Sequence, residues 1–251
     1  PSYNSDLFNI EPYYDDFDET KNYQKILFRP GYAVQARELS QVQTILQSQV
    51  ERLGNHIFKD GSKVYGGESA YQSVDFLTVT TTADLSSFIG YEITGEDDFS
   101  AKVIYAEVIN ENTYLFVQVV RGVLATSGTV TSSIVGISAT ATISTTGQTK
   151  LFSVSEGIFY VDGFFARTSN QYSANIDSSG LTGEGFYGFD IERNYVGSSS
   201  DITLLDPSTG SYNYNAPGAD RYQLSLNLNF HKSSVRDNFI PLASVTSNGD
   251  I

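Results

Sequence analysis

Apolar residues recur at helical spacing in one stretch of this chain: Leu39, Val42, Leu46, Val50, Leu53 and Ile57, separated by 3, 4, 4, 3 and 4 positions. Steps of three and four place side chains on a single stripe of an α-helix. From Ser62 onward the apolar residues instead alternate or run continuously, which is the signature of strands. The expected fold is therefore mainly β with one N-terminal amphipathic helix, and a β-sandwich or barrel-like region following an extended arm and that helix. Residues 1–24 form the arm, 25–61 a turn plus the helix, and 62–251 the β-rich part, read as one domain or two subdomains, with 122–149 as an uncharged β insert.

The helical stripe has two readings. Leu39, Val42, Leu46, Gln49, Leu53 and His56 fit a heptad seam between copies of the chain, in which Gln49 and His56 are polar members of the kind that set register and oligomer number at some cost in stability. Alternatively the stripe packs on the sheet as an ordinary surface helix. Gly54-Asn55 or Asp60-Gly61 is the expected stop. Before the helix, Lys25 to Gly31 reads as a short apolar strand or a turn, closing on Pro30-Gly31.

The arm is acidic and aromatic. Asp6, Glu11, Asp15, Asp16, Asp18 and Glu19 stand against Lys21, with Phe8, Tyr13, Tyr14 and Phe17 among them. It has no period, so it is expected either as a solvated tail or as a segment that orders on a partner. In the second case Phe8, Tyr13, Tyr14 and Phe17 are the docking residues. Asp15 to Glu19 clusters oxygen ligands as a calcium loop would, but lacks the glycine and glutamate spacing of an EF-hand. A solvated acidic run is the expectation there.

In the β region, Ala101 to Ile109 and Thr113 to Arg121 flank a hairpin turn at Asn110-Glu111-Asn112, and Val117, Val119 and Val120 read as a strand buried on both faces. Gly122 to Thr149 has 28 residues without a charge, 13 of them Ser or Thr. Ile137, Ala139, Ala141 and Ile143 alternate with Ser138, Thr140 and Thr142, as in a half-buried strand. An uncharged strand is an open edge unless another domain or subunit covers it. Asp162-Gly163 between apolar runs is a hairpin signal, Ser178 to Gly185 reads as a loop, and Arg221 to Phe230 alternates as a strand. The polar end, Ser244 to Ile251, closes no element, and the chain is expected to be the front part of a longer product.

Several function classes are disfavoured. Lysine and arginine total 15 against 29 acidic residues, a net charge of −14, which repels phosphate backbones, so no nucleic-acid partner is expected. No apolar run approaches the ~20 residues of a membrane span, and the first residues show no signal peptide. Cysteine is absent, which removes disulfides and thiolate chemistry, and the two histidines, His56 and His231, leave little scope for a triad or a metal site. The expectation is a protein without catalytic residues, metal or cofactor. Tyr212 and Tyr214, set between asparagines in a turn-rich stretch from Leu204 to Arg221, either pin a long loop to the sheet or form a face on which host glycan stacks. Asp206-Pro207 and Pro217-Gly218 read as turns of type I and type II, and Asp220 with Arg221 as a pair holding the loop.

The run Asn22-Tyr23-Gln24-Lys25-Ile26-Leu27-Phe28-Arg29-Pro30-Gly31-Tyr32-Ala33-Val34-Gln35-Ala36-Arg37-Glu38-Leu39, continued by Gln41, Gln43, Thr44, Leu46 and Gln47, resembles the opening of a family of tailed-phage virion structural proteins. That family is an uncharacterised domain at the front of tail-fibre or baseplate proteins, common in phages of cyanobacteria. Leu204 to Pro207 with Asn213 to Arg221 resembles a second signature of the same family, and Gly157 to Phe165 is similar to a turn unit of phage tail proteins. The resemblance implies a non-enzymatic virion component of the tail, made in the host cytoplasm, homotrimeric, with other tail or baseplate proteins as partners.

Overall fold

The computed structural model describes residues 7–109, 111–134, 139–174, 184–235 and 237–246. These form one α-helix, α1 (Ala36–Ile57), and thirteen strands: β1 (Ser62–Gly66), β2 (Ser69–Thr80), β3 (Glu92–Thr94), β4 (Ser100–Ile109), β5 (Asn112–Arg121), β6 (Thr129–Ser132), β7 (Thr140–Val154), β8 (Gly157–Val161), β9 (Phe164–Thr168), β10 (Gln171–Ala174), β11 (Gly185–Val196), β12 (Arg221–His231) and β13 (Phe239–Val245). The chain is mainly β, as its patterning predicts. It divides into two compact units, residues 1–67 with 157–168, and residues 68–156 with 169–251.

The first unit joins α1 to a three-stranded antiparallel sheet, β1-β8-β9. At the turn between β8 and β9, Asp162 and Gly163 both have positive φ, 51° and 82°, the two-residue hairpin geometry that the Asp-Gly pair signals. The helix begins where the Glu38 carboxylate accepts the Gln35 backbone N–H at 2.8 Å, which satisfies one donor that the helix itself leaves open. It does not stop at Gly54-Asn55. It continues to Ile57, and the Phe58 N–H donates to the Gly54 carbonyl at 2.7 Å. Lys25 to Gly31 forms no strand. Its end is a turn over Arg29–Tyr32, with Gly31 at φ 85°.

In the second unit β7, β2, β5, β4, β3 and β6 pair in that order, and β6 pairs back onto β7. Six antiparallel strands therefore close into a barrel. Where another domain or subunit was expected to cover the uncharged strand, strands of the same unit cover its two ends. β7 hydrogen-bonds to β2 along Ser69–Thr80 on one side, and on the other its two ends are covered, by β6 at Thr140–Thr142 and by β10 at Leu151–Val154. Ala139, Ala141 and Ile143 are buried while Thr140 and Thr142 are exposed, as the alternation predicts; Ile137 and Ser138 lie outside the described residues. The barrel interior holds Leu77, Phe88, Ile93, Val103, Leu115 and Val117. The stretch buried on both faces of β5 is Leu115-Phe116-Val117; Val120 is exposed, a shift of the expected segment toward the middle of the strand, where neighbours lie on both sides.

A three-stranded sheet, β12-β11-β13, completes this unit. Its Tyr187 ring stacks on Phe152 at 4.7 Å. Gln171 uses its amide as a substitute strand, donating to the Leu226 carbonyl and accepting the Leu228 N–H, both at 2.7 Å. The loop expected over Ser178 to Gly185 falls on residues outside the described set up to 183, and Gly185 opens β11.

Candidate functional site

α1 buries the wrong face for an ordinary surface helix. Its buried residues are Thr44, Ile45, Ser48, Glu51 and Gly54. The stripe of Leu39, Val42, Leu46, Val50, Leu53 and Ile57 faces solvent, each residue 36–64 % exposed. Gln49 and His56 are exposed as well. The reading in which the stripe packs on the sheet is therefore overturned for the sheet of its own unit, β1-β8-β9. All six residues of the expected seam lie together on the open side of the helix.

Apart from Ile45, the inward face is built from small and polar residues, which lets it approach the β8–β9 hairpin closely. The Tyr160 hydroxyl donates toward the Glu51 carbonyl and the Asn55 side-chain oxygen, 3.0 Å from each. Gln47 donates to the Gly163 carbonyl at 2.7 Å. Phe58 packs on Tyr160 and Phe165 at 5.6 and 5.9 Å. A Cβ at Gly54 would run into the Tyr160 ring, and one at Gly163 into the Glu51 side chain. The small and polar residues Thr44, Ser48, Glu51 and Gly54, spaced by 4, 3 and 3, are the signal of this contact, and reading for apolar periodicity passes over it.

Among the described residues the acidic arm is not a free tail: Asp15 and Phe17 are buried. It lies along one flank of α1. The Asp16 carboxylate accepts from Arg37 at 2.9 Å and from Gln41, the Thr44 hydroxyl donates to buried Asp15, and Arg52 pairs with Glu19 at 2.7 Å. Asp18 caps a short turn by accepting the Thr20 N–H at 2.9 Å. These contacts explain the clustered carboxylates, and among the described residues no group of three or more acidic or histidine side chains is placed to hold a metal ion. Burial pushes the Asp15 carboxyl up, partly offset by the Thr44 hydrogen bond. Burial also raises Glu51, helped by the like charges of Glu19 and Asp162. Of the four rings expected to dock on a partner, Phe17 is buried in the chain's own fold, which removes it from that role. Phe8 and Tyr13 are half-buried, and Tyr14 is exposed.

The stretch Leu204 to Arg221 forms a self-closed loop. Leu205 bridges Pro217, the Asp206 N–H donates to the Ala216 carbonyl and the Asn215 N–H to the Asp206 carbonyl, both at 3.0 Å. Gly218 has no positive φ, so the expected type II turn is absent. Arg221 donates to the backbone carbonyls of Ala219 and Asp220 at 2.7 and 3.3 Å. The loop encloses a shallow hollow of about 390 Å³ that includes Leu204, Pro207, Asn213, Pro217 and Arg221. Tyr212 is fully exposed and Tyr214 half-exposed. Neither ring pins the loop; its backbone hydrogen bonds do that. His231 lies 3.0 Å from Asp190. No helix among the described residues is long and apolar enough to cross a membrane.

A family model described as a domain of unknown function, DUF4815, matches residues 11–84, which take in the end of the arm, α1, β1 and β2. Neither a curated protein nor a solved structure matches the chain.

Proposed function

We propose that this chain is a structural, non-enzymatic component of a phage tail: the attachment region of a tail-fibre or baseplate protein, which joins fibre to tail during assembly and host adsorption. One observation carries the reading. α1 spends its small and polar face on its own unit and leaves its apolar stripe in water, so the chain is built to complete its burial in an assembly. The run from Asn22 to Gln47, which resembles the opening of tailed-phage structural proteins, holds most of that helix. The proposed partners are copies of the chain in a homotrimer, with other tail or baseplate proteins beyond them, and the proposed location is the virion tail after synthesis in the host cytoplasm. Antibody raised against the chain and applied to particles of the phage that encodes it should decorate the tail where fibres attach. Decoration of the neck or capsid instead would favour a neck or capsid-decoration role, and unlabelled particles would overturn the proposal.

A second reading, a receptor module for host glycan, rests on the Tyr212–Tyr214 loop. It is rich in Tyr, Ser, Gly and Asn, a composition that gives rigid aromatic contacts with adaptable hydrogen bonding. Binding on a glycan array that is lost in Tyr212→Ala would favour it.

A further inference from the structure

We infer that the occupant of the open α1 face is a second copy of this chain, lying parallel and in register, with Leu46, Val50, Leu53 and Ile57 at the centre of the contact. This rests on the self-assembling reading above and specifies its geometry.

The exposed face is three columns wide, each with the seven-residue spacing of two helical turns. Leu39, Leu46 and Leu53 form the middle column. Ala36, Gln43, Val50 and Ile57 lie on one side of it, and Val42, Gln49 and His56 on the other. All ten residues are exposed. The expected seam paired the leucines with the second flank, which turns polar toward the C-terminal end. The first flank turns apolar there. Leucine at the d position with β-branched valine and isoleucine at a is the pattern that favours parallel two-stranded coiled coils. The seam thus moves by one position from Gln49 and His56 to Val50 and Ile57, and a single polar residue, Gln43, is left in it. A third copy would have to use the remaining column of Val42, Gln49 and His56, which is polar toward its C-terminal end.

Charge permits the pairing. A chain with net charge −14 resists self-association wherever carboxylates face each other. On α1 the exposed columns carry no carboxylate. Glu51 is buried, Glu38 is held by the Gln35 N–H, and Arg37 and Arg52 are occupied by Asp16 and Glu19 of the same chain. The arm thereby neutralises the flank of the helix. The opposite face is already filled by Tyr160 and Gly163, so a partner helix has one side to choose.

The absence of native cysteine allows a direct test. In a parallel, in-register bundle each residue of the leucine column meets its own copy, within the roughly 7 Å that a disulfide spans between Cα atoms. Leu39→Cys, Leu46→Cys and Leu53→Cys are made singly in the full chain and oxidised mildly. Each should give a band at twice the 27.5 kDa chain mass, while Thr145→Cys, on an exposed position of β7, should not. Cross-linking of Leu46→Cys alone would mean an antiparallel pair and overturn the orientation, since Leu39 and Leu53 lie about 21 Å apart along the helix. Failure of all three in chains with unchanged circular dichroism would overturn the second copy as occupant. The register is read separately: Val50→Glu should weaken self-association at least about tenfold and Gln49→Glu far less, and the reverse order would restore the seam through Gln49. Failed cross-linking in a chain that antibody still finds on tails removes this seam and leaves the tail role; cross-linking in a chain missing from particles does the opposite.

Discussion

Tyr160 lies against Gly54. Its hydroxyl is 3.0 Å from the Glu51 carbonyl one turn back, and its ring fills the space where any side chain at position 54 would go. This contact fixes which side of α1 turns inward. A glycine in a helix interior costs about 1 kcal/mol relative to alanine, and here the close approach of ring to backbone offsets that cost.

Gly54→Ala is therefore expected to destabilise the protein although alanine is the better helix former. Forcing a methyl group into a filled space costs about 1–3 kcal/mol. Thermal unfolding followed by circular dichroism should show a lowered Tm. An unchanged or raised Tm would mean that the ring moves freely and that the contact does not orient the helix.

Glu51→Gln should stabilise the chain at neutral pH and do nothing in acid. Burial raises the Glu51 carboxyl above its unfolded value of 4.5, with Glu19 and Asp162 adding to the shift. The folded state therefore holds the proton more tightly, and stability falls as pH rises from about the unfolded value through the folded one. The neutral amide is free of that loss. A gain in Tm at pH 7 should vanish near pH 4. An equal gain at both pH values would point to packing rather than to charge.

The arm should be easily released. Its ion pairs, Asp16 with Arg37 and Glu19 with Arg52, are about half-exposed, and such pairs contribute about 0–1 kcal/mol each. Arg37→Ala with Arg52→Ala should leave Tm within a few degrees yet speed cleavage between Phe8 and Tyr23 in limited proteolysis several-fold, and high salt should mimic the double variant. Arm cleavage unaffected by either treatment would show that buried Asp15 and Phe17 hold the arm unaided.

In the barrel, Leu115→Ala should cost about 2–5 kcal/mol, because the site is fully buried between strands on both sides. Val120→Ala, on the same strand but exposed, should change stability by less than about 0.5 kcal/mol. Chemical denaturation of both variants separates the two outcomes, and equal losses would contradict the burial of β5.

Homotrimer formation is checked by native mass spectrometry of the full chain. Leu46→Glu with Leu53→Glu places carboxylates on the open face and should convert the assembly to folded monomer. A monomeric wild-type chain at all concentrations would refute the proposed self-assembly.

Much of the local structure was legible in the residues. Asp162-Gly163 specifies a two-residue turn because it tolerates positive φ, and the alternation of Ala139, Ala141 and Ile143 with threonine specifies a half-buried strand because side chains in a strand point to opposite faces. The stripe from Leu39 to Ile57 specified a helix for the same kind of reason. Periodicity records that two faces of an element differ, and it carries no information on which neighbour each face meets. Only the tertiary structure decided that Thr44, Ser48 and Gly54 face the hairpin, because that depends on the Tyr160 ring more than 100 residues away. The same holds for β7, whose end at Thr140–Thr142 pairs with β6 and so closes the barrel through a few backbone pairings that no side-chain pattern encodes, and for Phe17, which the fold buries in an arm whose composition reads as solvated.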